Sequence, residues 1–257
     1  MKINISEPEN QSGFCDIHSH LLHGLDDGAK NLGQSIEGVK FLYELGYRRI
    51  CLTPHQQSGE YEYDFNDIHV RLDELKESVC KEGIDIEFSN GIEYLFGSSF
   101  IDDSQTGKLI TLGKSSYFLL EFETFNIQSF YKNLFFKLIA GGLKPILAHP
   151  ERCDLKSVSE KEFFDYLVSC GALIQCGITS LTGMWGRKAA DLTAHLIEKG
   201  RVSFFATDLH CRKADYHAIP EGIERLASLA GKDGLKKYLI KNPCELLLVD
   251  KSGADGK

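Results

Sequence analysis

No run in this chain approaches the roughly 18 apolar residues of a membrane-spanning helix, so direct membrane insertion is not expected. Met1 to Asn10 is polar and lacks an apolar h-region, so no secretory leader is expected and the location is expected to be cytoplasmic. The eight cysteines include no CxxC pair, which removes the zinc ribbon and the thioredoxin-type motif. Several lie inside apolar runs and are expected as reduced, buried thiols. There is no basic excess either: 29 Lys and Arg against 37 Asp and Glu leave a net charge of −8. A general nucleic-acid binder would carry a basic face, so no nucleic-acid partner is expected. Low-complexity tracts, linkers and internal repeats are missing, and one domain is expected over residues 14–250. Residues 1–13 are expected as an N-terminal tail or cap and residues 251–257 as a C-terminal tail.

What the chain does contain is alternation. Strand-like apolar runs fall at 14–17, 48–53, 84–93, 117–123, 144–149, 172–178 and 202–208. Helical patterns lie between them. Phe130, Leu134, Phe135, Leu138 and Ile139 precede Gly141; Phe163, Phe164, Leu167 and Val168 precede Gly171; Ala189, Leu192, Leu196 and Ile197 precede Gly200. Each is an amphipathic helix with a glycine stop. Residues 221–248 are expected to form one or two closing helices. Seven strands alternating with helices imply an α/β fold with a mostly parallel sheet. Strands this apolar must be covered on both faces, which a closed or nearly closed barrel achieves better than an open sheet.

The polar residues that end these runs carry the chemistry. The first gives His18 and His20, then Asp26 and Asp27 in the loop "LDDG"; the second gives His55. The third gives Glu93, the fourth Glu121 and Glu123, the fifth His149, the seventh Asp208 and His210. Only the sixth, ending Gly177-Ile178-Thr179, offers no ligand type. In α/β barrels the C-terminal strand ends build the active site. A lone histidine is more often an ordinary polar residue, and a strand-end glutamate is usually at the surface. Joint placement outweighs both readings. Crowded carboxylates repel, so a cation is needed to keep them ionised. Mixed imidazole and carboxylate ligation suits Zn²⁺, Mn²⁺ or Fe²⁺, and so many candidates imply two or three ions. Three dications against Asp27, Glu93, Glu121 and Asp208 would leave a local charge of roughly +2, suited to a phosphate dianion.

The set "DIHSH…LDDG", "TPH", "NGIEY", "LLEFE", "LAHPER", "SLTG" and "TDLH" resembles the polymerase-and-histidinol-phosphatase (PHP) superfamily. Within it, the chain resembles the bacterial protein-tyrosine phosphatases encoded with capsule and exopolysaccharide genes, from about Gly13 to Leu248. The resemblance implies a single-domain, distorted (βα)₇ barrel and a trinuclear, usually manganese-activated centre. It implies nine ligands: His18, His20, Asp27, His55, Glu93, Glu121, His149, Asp208 and His210. It implies an essential arginine at Arg152. A second phosphate-binding arginine, five residues after the last histidine in some relatives, is Asp215 here; Arg212 or Lys213 could replace it. The resemblance also implies a partner, the tyrosine-rich cytoplasmic tail of a membrane-bound tyrosine kinase. His23 and His217 have no family role and are expected at the surface. Tyr61 and Tyr63 could contact substrate or be ordinary loop residues.

Two other features lose on spacing. "GKLITLGKS" (107–115) has five residues between its glycines where a P-loop needs four, and it precedes a strand. No cysteine has arginine six positions on, so a phosphocysteine mechanism is not expected and activated water remains the nucleophile. Three activities fit the pattern: a metal-dependent protein-tyrosine phosphatase, a PHP phosphatase of small phosphomonoesters such as histidinol phosphate, and a non-catalytic PHP module. A full ligand set weighs against the third.

Overall fold

In the computed structural model the described residues are 13–57, 59–61, 63–123, 131–153 and 158–248. Residues 1–12 of the expected N-terminal tail (1–13), the expected C-terminal tail 251–257 and Phe130 lie outside them. The seven expected runs appear as nine short strands: β1 (Phe14–Asp16), β2 (Tyr47–Leu52), β3 (His55–Gln56), β4 (Glu87–Asn90), β5 (Glu93–Leu95), β6 (Tyr117–Glu121), β7 (Lys144–Ala148), β8 (Leu173–Gly177) and β9 (Phe204–Ala206). All ladders are parallel, in the orders β1-β2-β4 and β3-β5-β6-β7-β8-β9. Pro54, which has no N–H to give to a ladder, separates β2 from β3, and β3 lies beyond the second expected run. Gly91-Ile92 interrupts the third run between β4 and β5. Hydrogen bonds carry the pairing across both breaks, from Gly91 N to Leu52 O (2.9 Å) and from Glu93 N to Pro54 O (3.1 Å).

The ring returns to its start beyond β9. Asp208 N donates to His18 O and His20 N to Leu209 O, each at 3.0 Å. Asp16, wholly buried, accepts from Thr207 N (3.0 Å), from the Thr207 hydroxyl and from His18 N (3.3 Å). The architecture is thus the expected distorted (βα)₇ barrel in one domain. Register aligns Glu93, Leu119, Ile146 and Leu173 on one face of four neighbouring strands. Leu119 and Ile146 belong to a small core with Cys15, Ile17, Cys51 and Phe204. Two residues further along, the same face carries Glu121, Ala148 and Gln175, so polar side chains replace the apolar core toward the strand ends.

Helices cover the outside: α1 (Leu32–Glu44), α2 (Phe65–Lys81), α3 (Ser98–Thr106), α4 (Tyr131–Ala140), α5 (Val158–Ser169), α6 (Arg187–Glu198), α7 (Lys213–Lys236) and α8 (Asn242–Leu248). α4, α5 and α6 are the expected helices. Of the three helices that were not expected, α1 and α2 carry clear start signals and α3 begins from Gly97 without a side-chain cap. Asn31 accepts from Gln34 N, and Asp64 with Asp67 forms a reciprocal capping box. The closing segment begins eight residues earlier than expected, at Lys213. It bends at Gly231 (φ 69°), then reaches α8 through a π turn. Among the described residues, no helix is long and apolar enough to cross a membrane.

Asp16 closes the ring through buried hydrogen bonds, so Asp16→Ala should strand the Thr207 and His18 donors. The expected loss is about 2 kcal/mol or more of unfolding free energy, read from urea denaturation at fixed metal content. An unchanged midpoint would remove Asp16 from barrel closure.

Candidate metal centre

Nine polar side chains meet at the C-terminal ends of the strands. His18 and His20 follow β1, Asp27 sits on the next turn, and His55 and Glu93 open β3 and β5. Glu121 ends β6, His149 follows β7, and Asp208 and His210 follow β9. Local backbone turns them inward. Gly28 lets the "LDDG" turn fold back on β1, because a Cβ there would stand 2.1 Å from the His20 carbonyl oxygen. His149 (φ 29°) and Asp208 (φ 52°) hold positive φ without being glycine. Such backbone strain persists only where surrounding contacts hold it, and it gathers at functional sites.

The nine residues fall into three groups whose ligand atoms lie within 4.8 Å of one another: His20, Asp27, His55 and His210; His18, Glu93, His149 and Asp208; and His55, Glu93 and Glu121. Glu93 is the hub. Its Oε2 is 3.0 Å from His18 Nε2, 3.2 Å from His20 Nε2 and 3.0 Å from His55 Nδ1, and its Oε1 is 2.9 Å from His149 Nε2. Asp208 Oδ1 lies 3.3 Å and 3.1 Å from the same His18 and His20 nitrogens. His210 Nε2 reaches Asp27 Oδ1 at 3.2 Å.

Hydrogen bonding alone does not satisfy this cluster. His18 Nδ1 faces Gln175 Oε1 at 2.9 Å, and His20 Nδ1 faces Asp26 Oδ2 at 2.7 Å. Both Nδ1 atoms are therefore donors, which leaves each neutral ring a bare Nε2. Those two Nε2 atoms are only 3.0 Å apart. Glu93 Oε2 and Asp208 Oδ1 are buried and make no hydrogen bond. Facing lone pairs and orphaned carboxylate oxygens at one point call for a shared cation. Five imidazoles and four carboxylates form a donor set that suits divalent transition ions. Outer partners that fix tautomer and ring angle are the usual support of such ligands.

The electrostatics agree. Burial alone would raise Glu93, but His18 and His55 hold its carboxyl well below the ordinary range. Burial likewise opposes ionisation of Asp208, and Arg152, His210 and His18 overcome it. Burial lowers His18 and His55, but the carboxylates, led by Glu93, carry both above a free imidazole. Burial and the neighbouring Glu93 raise Glu121.

Arg152 stands beside the cluster. Its Nη1 donates to Asp208 Oδ2 at 2.6 Å, while its Nε and Nη2 are buried without a hydrogen-bond partner. Its chain neighbour Glu151 is buried and accepts from Gly177 N (2.8 Å) and the Ser180 hydroxyl (2.6 Å). Arg212 Cζ comes within 5.9 Å of the Trp185 ring, which also carries Arg152. Asp215 accepts from His210 N (3.1 Å) and Arg212 N (3.0 Å), and so shapes the loop from within. Tyr61 stacks on His55 with centroids 5.8 Å apart. Tyr63 turns its hydroxyl inward to His55 O (2.6 Å), a structural role.

One expectation is corrected. His23 is buried, not at the surface, with Nε2 3.2 Å from Glu74 of α2. His217 is exposed as expected. The sequence reading missed Gln175, Asp26 as an orienting partner, and Trp185. Gln175 sits in the one strand run without a ligand, where a polar residue inside an apolar strand was the available signal.

Over residues 14–248 the chain matches the family model for capsular polysaccharide synthesis, CpsB/CapC. It is 30% identical over 236 residues to the tyrosine-protein phosphatase YwqE of Bacillus subtilis, covering 91% of each chain. It is 23% identical to the tyrosine-protein phosphatase CpsB of Streptococcus pneumoniae, covering 91% of this chain and 98% of that one. Its fold superposes with a TM-score of 0.81 and 28% identity on a crystal structure from the work on YwqE and CpsB, metal-dependent tyrosine phosphatases. That match covers 92% of this chain and 95% of the other.

The raised histidines give the metal-free site a signed pH response. Their pairing with carboxylates stabilises the fold fully below the free imidazole value of about 6.5 and is lost as pH rises through the raised folded values. A bound cation replaces those protons. The melting-temperature gap between metal-loaded and chelated protein should therefore widen from about pH 6 to about pH 8. A gap that narrows over that range would contradict the shared site.

Proposed function

The chain belongs to the CpsB/CapC capsular polysaccharide synthesis family, and from that membership we propose that it is a metal-dependent protein-tyrosine phosphatase. It hydrolyses phosphoric monoesters of tyrosine on protein substrates. The observation that carries the reading is the cluster of nine ligand-type side chains in three groups at one end of the barrel. His18, His20, Asp27, His55, Glu93, Glu121, His149, Asp208 and His210 would hold the ions. Three ions would match the three groups, and Glu93 and His55 each belong to two of those groups. Mn²⁺ is favoured, with Fe²⁺ and Zn²⁺ as alternatives compatible with the same donors.

Divalent ions held there would supply Lewis acidity toward the phosphoryl oxygens and a water made nucleophilic at neutral pH. The chain's own residues do the rest. Gln175 and Asp26 fix the tautomers of His18 and His20. Arg152 grips phosphate, because a guanidinium offers a fork of donors matched to its oxygens. It stays protonated, so it stabilises charge as the ester bond breaks and does not donate a proton. Arg212 is the second arm, taking the place of the arginine that Asp215 does not supply. The phenolate of tyrosine, whose acid has a pKa near 10, leaves with less need of a strong acid than an alkyl alkoxide. The substrate in this reading is the tyrosine-phosphorylated tail of a membrane kinase that governs polysaccharide export, met on the cytoplasmic side. The catalytic domain is residues 14–250.

Chelation should abolish hydrolysis of a phosphotyrosyl peptide, and added Mn²⁺ should restore it. Alkylation of the exposed Cys80 should leave the rate unchanged. Histidinol phosphate assayed alongside should be the poorer substrate; the reverse preference would overturn the protein-phosphatase reading. Arg152→Ala should keep its metal while losing roughly 10²-fold or more in kcat, the scale of a lost transition-state donor. Arg152→Lys should recover only part of that loss. A near-wild-type kcat for Arg152→Ala would leave the phosphate grip without its residue.

A further inference from the structure

Trp185 lies between the turn that follows β8 and the start of α6, and it is 37% exposed. Its indole N–H donates to the Thr179 hydroxyl at 3.0 Å, which fixes the ring. The Arg152 guanidinium carbon sits over that ring, 4.0 Å from the centroid. Arg212 approaches the same ring at 5.9 Å. Two cations thus converge on one anchored aromatic beside the site. Their carboxylate partners do not saturate them. Arg152 gives only Nη1 to Asp208, and Arg212 Nε stands 3.7 Å from Asp215 Oδ2. Gly177 leaves the guanidinium its room, since a Cβ there would come within 2.7 Å of Arg152 Nη2. A ring face attracts a guanidinium and leaves its N–H edge free for an oxyanion. Two unsaturated cations on one ring repel each other until an anion joins them.

We propose that Trp185 is a positioning residue that joins Arg152 and Arg212 into a single phosphate grip. The proposal rests on the phosphatase reading for its substrate. It stands alone as a statement about binding inorganic phosphate. Trp185 is the chain's only tryptophan, so its emission reports on its own surroundings. Inorganic phosphate titrated into the metal-loaded protein should change tryptophan emission saturably, over the concentrations that inhibit hydrolysis. Arg152→Ala, with its metal content checked, should lose that change. Trp185→Leu should weaken phosphate inhibition about tenfold, the scale of a partly desolvated cation–π contact. Trp185→Phe, which keeps an aromatic face, should recover most of it. Flat emission at saturating, inhibitory phosphate overturns the proposal, as does a Trp185→Leu protein that binds phosphate as well as Trp185→Phe. If Trp185→Leu fails to fold, the wild-type titration still decides. If phosphate shifts the emission but phosphotyrosyl peptide is not cleaved, the assigned function fails and the grip remains.

Discussion

Everything at the open end of this barrel answers to one electrostatic constraint. Four carboxylates and five imidazoles are brought together largely out of water, around a glutamate that is entirely buried. Buried charges of one sign destabilise a fold unless something of the other sign is held among them. Protons on the histidines meet the need in part, and divalent ions would meet it better. The surrounding irregularities follow from this. The "LDDG" turn folds tightly enough to require glycine, two ligand positions hold a costly backbone conformation, and Gln175 and Asp26 spend their hydrogen bonds on imidazoles.

Asp208 links the cluster of ligand-type side chains to Arg152. One of its oxygens faces His18 and His20, and the other accepts from Arg152. A cation beside the first oxygen would alter the charge that Arg152 feels at the second. Arg152 in turn lies on Trp185, which Thr179 anchors. The proposed phosphate grip and the candidate ion sites are therefore joined by one chain of contacts, from Asp208 after β9 to Trp185 before α6.

The clustering of these ligand-type side chains was legible in the sequence because a parallel barrel gathers its strand ends at one place, while the choice of nine, Asp27 among them, came from the family resemblance. A residue type at the end of a run is thus also a position in space. The strands themselves were readable as apolar runs, and so were the helices with a strong stripe and a glycine stop. α1 to α3 were harder: the start signals of α1 and α2 lie in the capping side chains Asn31 and Asp64, and α3 has no side-chain cap. His23 misled because its burial comes from α2 packing over the first loop, which local sequence does not reveal. Gln175 and Trp185 were missed for the same physical reason. Each acts on a residue far away in the chain, His18 in one case and Arg152 in the other.

The order in which these partners appear has a consequence for synthesis. A ribosome makes the chain from its N-terminus, and the first two histidines emerge long before what orients and surrounds them. His18 waits for Glu93, then for Gln175 and Asp208, and β1 itself waits for Thr207 to close the ring. A nascent chain that ends anywhere before His210 holds an incomplete set of ligands on an open sheet. Only the group of His55, Glu93 and Glu121 has all its members by residue 121; the other two groups are completed by Asp208 and His210, after β9 has been made.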